Sequence, residues 1–263
     1  MSASAHALPS FPQDLHAVVQ GGTRGLGLAF VEALLRRPGQ GRVHATGRRA
    51  TASPELARLR EVHGDRLVPV DLDLLDEPGL HRATARIRED APRLHLLLNV
   101  SGVLHDDRRG MAPEKKLEQL RATHALHAFA INALGPTLVT AGLAESFRHG
   151  ERAAIANLSA RVGSIGDNGL GGWYSYRATK AAQNQFTRTT AIELRRRSPE
   201  TVVVALHPGT VDTDLSAPFQ RGVKPEKLFT PERAARQLLD VLDGLTPADS
   251  GGFFAWDGAP IPW

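Results

Sequence analysis

Seven short apolar runs, separated by stretches with helical periodicity, constrain this chain more than any other feature; they lie at residues 15–19, 43–46, 67–70, 94–98, 153–158, 202–206 and 252–256. A strand covered on both faces reads as a continuous apolar run, and strands that alternate with helices pair in parallel through right-handed crossovers. The pattern predicts an α/β chain: one doubly wound, seven-stranded parallel sheet flanked by helices. In such a sheet ligands sit outside the carboxyl ends of the strands. With 263 residues and 41% hydrophobic content, one core can serve the whole chain, so residues 1–263 read as a single domain.

The first run leads into Gln20-Gly21-Gly22-Thr23-Arg24-Gly25-Leu26-Gly27, after which helical periodicity continues to Arg37. Gly21, Gly25 and Gly27 permit a tight turn, close approach of an anion to the backbone, and close packing of the following helix on the sheet. At this first strand-to-helix junction, with Thr23, Arg24 and Leu26 in the turn, the spacing predicts a pyrophosphate cradle. A carboxylate that holds a ribose 2′-hydroxyl is expected about 20 residues later. The second run instead ends Ala45-Thr46-Gly47-Arg48-Arg49. Arg48, joined by Arg24, offers planar guanidinium groups to a 2′-phosphate. NADP(H) is therefore the preferred cofactor and NAD(H) the alternative.

Tyr176 and Lys180 stand four residues apart in a long helical stretch, so phenol and amine share one face. Bringing a phenol from a pKa of ~10 to near neutrality requires roughly 4 kcal/mol. One ammonium at about 4 Å supplies a similar amount at an effective dielectric of ~20. The pair is thus a candidate proton donor with its activator, and Lys180 also suits a hydrogen bond to ribose.

The basic residues exceed the acidic by 32 to 28 and are scattered, without the aromatic-laced stripe that nucleic-acid binding favours. Zero cysteines exclude disulfides and thiolate chemistry. No signal-peptide pattern and no uninterrupted apolar span of about 18 residues is visible, which predicts a cytoplasmic chain without stable membrane insertion. His124 and His127 lack a ligand-like setting, so no metal is expected. Residues 213–228, rich in Pro, Gly, Ser and Lys, read as a mobile lid over the substrate. Leu170, Trp173, Tyr174 and Phe219 are candidates for an apolar pocket that takes an aldehyde, ketone or quinone.

Together these motifs resemble the short-chain dehydrogenase/reductase family, over nearly the whole chain and in the family's order. The resemblance implies a Rossmann-type domain. It assigns Asp71 and Leu72 to the adenine side, and Asn99, Ser101 and Gly102 to the turn after the fourth strand. Asn132 matches the catalytic Asn that anchors a proton-relay water. Pro208, Gly209, Val211 and Thr213 match the segment that holds the nicotinamide carboxamide, while Tyr176 and Lys180 serve both catalysis and cofactor. The phrases Ser159-Ala160-Arg161-Val162-Gly163-Ser164-Ile165 and Phe253-Phe254-Ala255-Trp256-Asp257-Gly258 are similar to the C-factor-like branch, with Sniffer-type carbonyl reductases as relatives.

Three departures stand out. Gln20 replaces the usual Thr and Val100 the usual Asn, which implies weaker turn hydrogen bonds. Ala160 occupies the place of the substrate-polarising Ser, so Ser159 or Ser164 must replace it. The implied reaction is NADPH-dependent carbonyl reduction, with Tyr176 as acid. A nucleotide-binding sensor with little turnover is the alternative, and a sugar-nucleotide epimerase is disfavoured because about 50 residues follow Thr213. The helical stretches at residues 117–147 and 174–197 are compatible with a homo-oligomer, a dimer or tetramer by family habit.

Overall fold

The computed structural model describes residues 6–263. Its strands are β1 (Ala17–Gln20), β2 (Val43–Gly47), β3 (Leu67–Asp71), β4 (Leu96–Asn99), β5 (Ala153–Leu158), β6 (Thr201–His207), β7 (Thr210–Val211), β8 (Leu228–Phe229) and β9 (Phe253–Ala255). Seven of them form one parallel sheet in the order β3-β2-β1-β4-β5-β6-β9, as the apolar runs predict. The chain builds outward from β1 to β3 and then returns to β4 on the other side. The order therefore reverses between β1 and β4, and the crevice at their carboxyl ends is the natural ligand site.

Adjacent strand residues point to opposite faces, so each strand feeds two core layers. Ala17 and Val19 of β1, with Leu96 and Leu98 of β4, pack on one side. Val18 and Leu97 pack on the other. The first layer is closed by α1 (Gly25–Leu35), α2 (Pro54–His63) and α7 (Pro231–Gly244), the second by α3 (Glu77–Asp90), α5 (Gly135–Leu143) and α6 (Tyr174–Leu194). Helix α7 shows the stripe plainly: Ala234, Ala235, Leu238, Leu239 and Leu242 are buried, while Thr230 caps its start by accepting the Arg233 N–H at 3.2 Å.

Two features escape the apolar pattern. Strands β7 and β8 pair over two residues each and pinch together the base of the 213–228 excursion. The helical stretch before β5 is not uniform: α4 (Ala122–Phe129) passes through a wide turn at Ala130–Leu134 before α5 begins. Pro136 explains the break, because it has no N–H to return to the carbonyl four residues back. The run Ala122–Phe147, although interrupted by polar residues such as His124, His127 and Asn132, is long and apolar enough on average to cross a membrane by length and composition. Val139, Leu143 and Phe147 on this run are spent on the second core layer.

Where the strands begin, opposite the crevice, His16 and His95 stack with ring centroids 6.1 Å apart. The Arg42 N–H donates to His16 Nδ1 (3.2 Å) and the His16 N–H to His95 Nδ1 (3.1 Å). His95 Nε2 then donates to Glu151 (3.1 Å) and His44 Nε2 to Asp90 (2.7 Å). His149 accepts the Glu151 N–H on Nδ1 (3.3 Å) and donates Nε2 to Leu94 O (2.8 Å). His95, His149 and Glu151 bring ligand-type atoms within 4.8 Å of one another, but both nitrogens of each ring are committed, so this geometry offers a metal no free imidazole.

Burial holds the imidazoles of His16, His44 and His95 below the ordinary histidine range, against the opposing pull of Asp90 and Glu151. Burial also pushes His207 from 6.5 down to about 4. Such rings bind fewer protons folded than unfolded, so their contribution to stability is complete above pH 6.5 and is lost as the pH falls from there toward about 4. The urea midpoint is expected to be level above pH 6.5 and to drop steadily below it. A midpoint that rises on acidification across this window would show that the carboxylate contacts outweigh burial.

Candidate active site

The turn after β1 leaves no room for side chains. Gly21 has φ +86°, and a Cβ there would lie 2.4 Å from Ser101 Oγ; one at Gly27 would lie 1.9 Å from Gly21 O. The N–H groups of Gly21 and Gly22 both donate to Thr46 O (3.0 and 2.9 Å), so the turn is fastened to β2. Gln20 does not weaken it, as the departure from the family pattern implied. Its Nε2 donates to Ser101 Oγ (2.8 Å) and its Oε1 accepts the Ser101 N–H (3.3 Å), joining the glycine turn to the turn after β4. Val100 keeps the same two turns in register by donating its N–H to Gln20 O (2.9 Å).

Helix α1 opens from this turn with no side-chain cap and no acidic residue in its first turn. Its N–H groups and dipole therefore face the crevice uncompensated, beside a glycine cradle, and these residues fit a pyrophosphate. Arg48 is exposed at the end of β2, next to Gly47, where a Cβ would strike the Thr23 methyl at 2.7 Å. Arg24 is differently engaged: it pairs with Asp214 at 2.7 Å, tying the segment after β7 to the glycine turn. Thr213 lies against Gly25, 3.2 Å from where its Cβ would be, so the Pro208–Thr213 stretch does reach the cofactor turn.

Two residues assigned to the cofactor by resemblance are engaged by protein partners. Asp71 accepts the Thr51 N–H (2.9 Å) and Oγ1–H (2.8 Å), bonds that hold its carboxyl below the usual carboxylate range. Asn99 donates to Thr140 (3.0 Å) and Asn157 (2.8 Å) and is wholly buried, with its Oδ1 unpaired. Leu72 is buried and donates its N–H to Gly47 O at 2.8 Å.

The inner face of α6 is polar. Tyr176, Thr179, Lys180, Gln183, Asn184 and Thr187 are all buried along it. Lys180 Nζ donates to Leu158 O (2.6 Å) and Gln183 Oε1 (3.0 Å) and lies 5.9 Å from the Tyr176 ring centroid. The expected lowering of the phenol pKa is corrected here: with the ammonium drawn to Leu158 and Gln183, desolvation governs, pushing Tyr176 up to about 12 and Lys180 down to about 7. Asn132, in the wide turn, accepts the Val103 N–H (2.7 Å) and donates to Val103 O (2.8 Å) and Thr179 Oγ1 (3.1 Å). A Cβ at Gly102 would stand 3.5 Å from Asn132 Oδ1 and 3.8 Å from Lys180 Nζ, so these three residues converge.

The two candidate serines part company. Ser159 Oγ donates to Asn184 Oδ1 (2.6 Å), which is eight residues, or about 12 Å, along α6 from Tyr176. Its hydroxyl is a packing contact, which corrects its placement beside the phenol. Gly163 packs directly on Lys180, and Ser164 follows it. Ser164 Oγ accepts the Asp167 N–H (3.1 Å), which leaves its own proton to give.

On the substrate side, Trp173 meets Tyr176 edge to face (6.1 Å between centroids) and Phe219 likewise (5.1 Å), and Phe219 meets His105 at 5.9 Å. Four rings thus run from the 213–228 excursion to the phenol. Trp173 has φ +51°, a conformation that costs a non-glycine residue about 1–2 kcal/mol. Leu170 is 95% exposed and lies outside this wall, and Tyr174 is 39% exposed at the helix start. Leu104, Met111, Glu114 and His124 complete a small apolar-sided cavity against Tyr176. His105, Asp214, Gln183 and Glu114 carried no motif. Each acts through a partner that is distant in sequence or, for Gln183, through burial that spacing alone does not show.

The glycine turn and the Tyr-Lys helix at one sheet edge define a dinucleotide-binding oxidoreductase. The chain belongs to the short chain dehydrogenase family, whose model matches residues 15–224. It is 40% identical over 136 residues to the C-signal protein of Myxococcus xanthus, covering 51% of this chain and 76% of that one. Among solved structures it resembles an NADPH-bound carbonyl reductase from chicken fatty liver (TM-score 0.83, 28% identity, 96% and 100% of the two chains). It also resembles the carbonyl reductase Sniffer of D. melanogaster (TM-score 0.82, 25% identity, 94% and 99%).

Gly27→Ala is expected to lower the melting temperature by a few degrees and to weaken NADPH binding more than tenfold, since overpacking of about 1–3 kcal/mol falls on the cradle itself. Gly110→Ala, at φ +60° but in open space, should leave NADPH affinity within twofold. Fluorescence titration and thermal melts read both, and equal NADPH affinities in the two variants would refute the cradle assignment.

Proposed function

We propose that the protein catalyses NADPH-dependent reduction of an aldehyde, ketone or quinone carbonyl to the alcohol. The observation that carries this reading is the buried phenol of Tyr176, beside an aromatic wall on one hand and the Gly102–Asn132–Lys180 convergence on the other. The NADPH-bound neighbour supports the cofactor, and Arg48 with Arg49, both exposed after Gly47, supports NADP(H) over NAD(H). The nicotinamide supplies hydride.

The chain's residues do the rest. Tyr176 keeps its proton at neutral pH because burial raises its pKa, and so has one to give to the oxygen of a carbonyl as it becomes an alkoxide. Ser164 offers a second hydrogen bond to that oxygen. Lys180 spends two donors on Leu158 and Gln183 and keeps its third for a ribose hydroxyl. Asn132 locks the turn at Val103 to α6 through Thr179, setting the depth of the floor under Tyr176. The sensor alternative drew on Ala160; Ser164, whose hydroxyl accepts the Asp167 N–H and keeps its own proton to donate, weighs against it.

A panel of aldehydes, ketones and quinones should reveal NADPH oxidation by the wild-type protein. Tyr176→Phe is expected to lower kcat by about 10²–10⁴-fold with the Kd for NADPH within twofold. Retention of most of the rate would remove Tyr176 from the role of acid. Because the raised phenol pKa disfavours phenolate and Lys180 loses its proton above about 7, reduction should hold its rate up to about pH 7 and decline above it, while oxidation of the product alcohol climbs with pH. A reverse rate independent of pH would contradict this.

A further inference from the structure

Immediately before α6, three successive residues take left-handed backbone angles: Gly171 (φ 65°), Gly172 (φ 64°) and Trp173 (φ 51°). Glycine does so freely, whereas tryptophan must be held there. Two charged residues hold this turn, Arg177 by its side chain and Glu114 by its main-chain oxygen and its side chain. Arg177 donates Nε to Gly172 O (3.0 Å), Nη2 to Gly171 O (3.0 Å) and Nη1 to Val162 O (3.2 Å). Glu114, only 5% exposed, accepts the Trp173 N–H on its main-chain oxygen (2.5 Å) and the Ser175 N–H on Oε2 (3.1 Å), and its Oε1 accepts the Ser175 hydroxyl.

Helix α6 has no side-chain cap of its own and no acidic residue in its first turn. Glu114 provides both the acceptor and the negative charge from 61 residues away, in the connection between β4 and α4. The carboxylate caps Ser175 while the main-chain oxygen of the same residue holds the amide of the strained Trp173, so one residue grips both sides of the helix start. The double contact fixes where the helix begins and the backbone angle at which Trp173 enters it. In that conformation the indole stands edge-on to both Tyr176 and Phe219.

We propose that Glu114 is a positioning residue for the reaction: with Arg177 it clamps the left-handed turn so that Trp173 forms the substrate wall beside Tyr176. The proposal rests on the carbonyl-reductase reading for its kinetic consequence but not for its structural one.

The test therefore has two parts. The chain has three tryptophans, so Trp256→Phe with Trp263→Phe leaves Trp173 as the only indole. In that background, without added nucleotide, Glu114→Gln and Arg177→Lys should each raise the acrylamide quenching constant of Trp173 by about twofold or more. An unchanged constant in a folded variant overturns the proposal whatever the activity, and if Glu114→Gln does not fold, Arg177→Lys carries the same reading.

In the wild-type background, KM for an active carbonyl substrate should rise about tenfold in both Glu114→Gln and Trp173→Ala, with KM for NADPH within twofold. The double variant should be no worse than Trp173→Ala alone. Effects that multiply to about a hundredfold would show that Glu114 acts independently of Trp173 and would also overturn the proposal. A wild-type protein silent toward every carbonyl defeats the reductase reading, and the quenching result then decides on Glu114 by itself.

Discussion

The bond from Lys180 Nζ to the main-chain oxygen of Leu158 is the contact on which the site depends. It ties the buried amine of α6 to the carboxyl end of β5, the strand next to the switch point. A helix that buries six polar side chains on one face would be driven from a sheet unless most of them found partners, and here only Gln183 Nε2 is buried without one. Leu158 and Gln183 satisfy Lys180, Asn132 satisfies Thr179, Ser159 satisfies Asn184, and Asn157 satisfies Thr187 (2.9 Å). This network, rather than apolar burial, sets the depth and rotation of α6. It explains why Ser159, although next to the expected catalytic position, is consumed as scaffold.

The sheet was legible in the sequence because most of its strands are covered on both faces and read as nearly continuous apolar runs. Strands β7 and β8 were not, since two residues give no period. Spacing rules found Gly21, Gly27, Tyr176 and Lys180, whose roles depend on neighbours a few residues away. They could not find Asp71 with Thr51, Arg24 with Asp214, or Glu114 with Ser175. Those pairs span 20, 190 and 61 residues and exist only once the sheet has brought their elements together. Nothing in the sequence showed that Trp173 would continue the left-handed turn of Gly171 and Gly172.

The helical spacing of Tyr176 and Lys180 was read correctly as one face, yet the sign of the pKa shift came out reversed, and the reason is general. A Coulomb estimate treats the ammonium as free to face the phenol. In the folded chain its hydrogen bonds point elsewhere, and both groups are buried, where the charged form of each is penalised. Burial moves an acid and a base in opposite directions, so Tyr176 rises and Lys180 falls.

That divergence fixes a direction for the proton. With the phenol near 12 and the amine near 7, Tyr176 does not surrender its proton to Lys180 at rest; it does so only to a stronger base, such as the alkoxide formed as a carbonyl is reduced. Once Tyr176 is a phenolate, a protonated Lys180 is the more acidic partner, and returning a proton from its side of the site is downhill. The same ordering opposes the reverse cycle, which must first strip a phenol that burial protects. The pH at which Tyr176 can act as a base in the reverse direction is therefore set by burial along the inner face of α6, and a variant that let water reach this face would lower that pH while keeping every catalytic side chain in place.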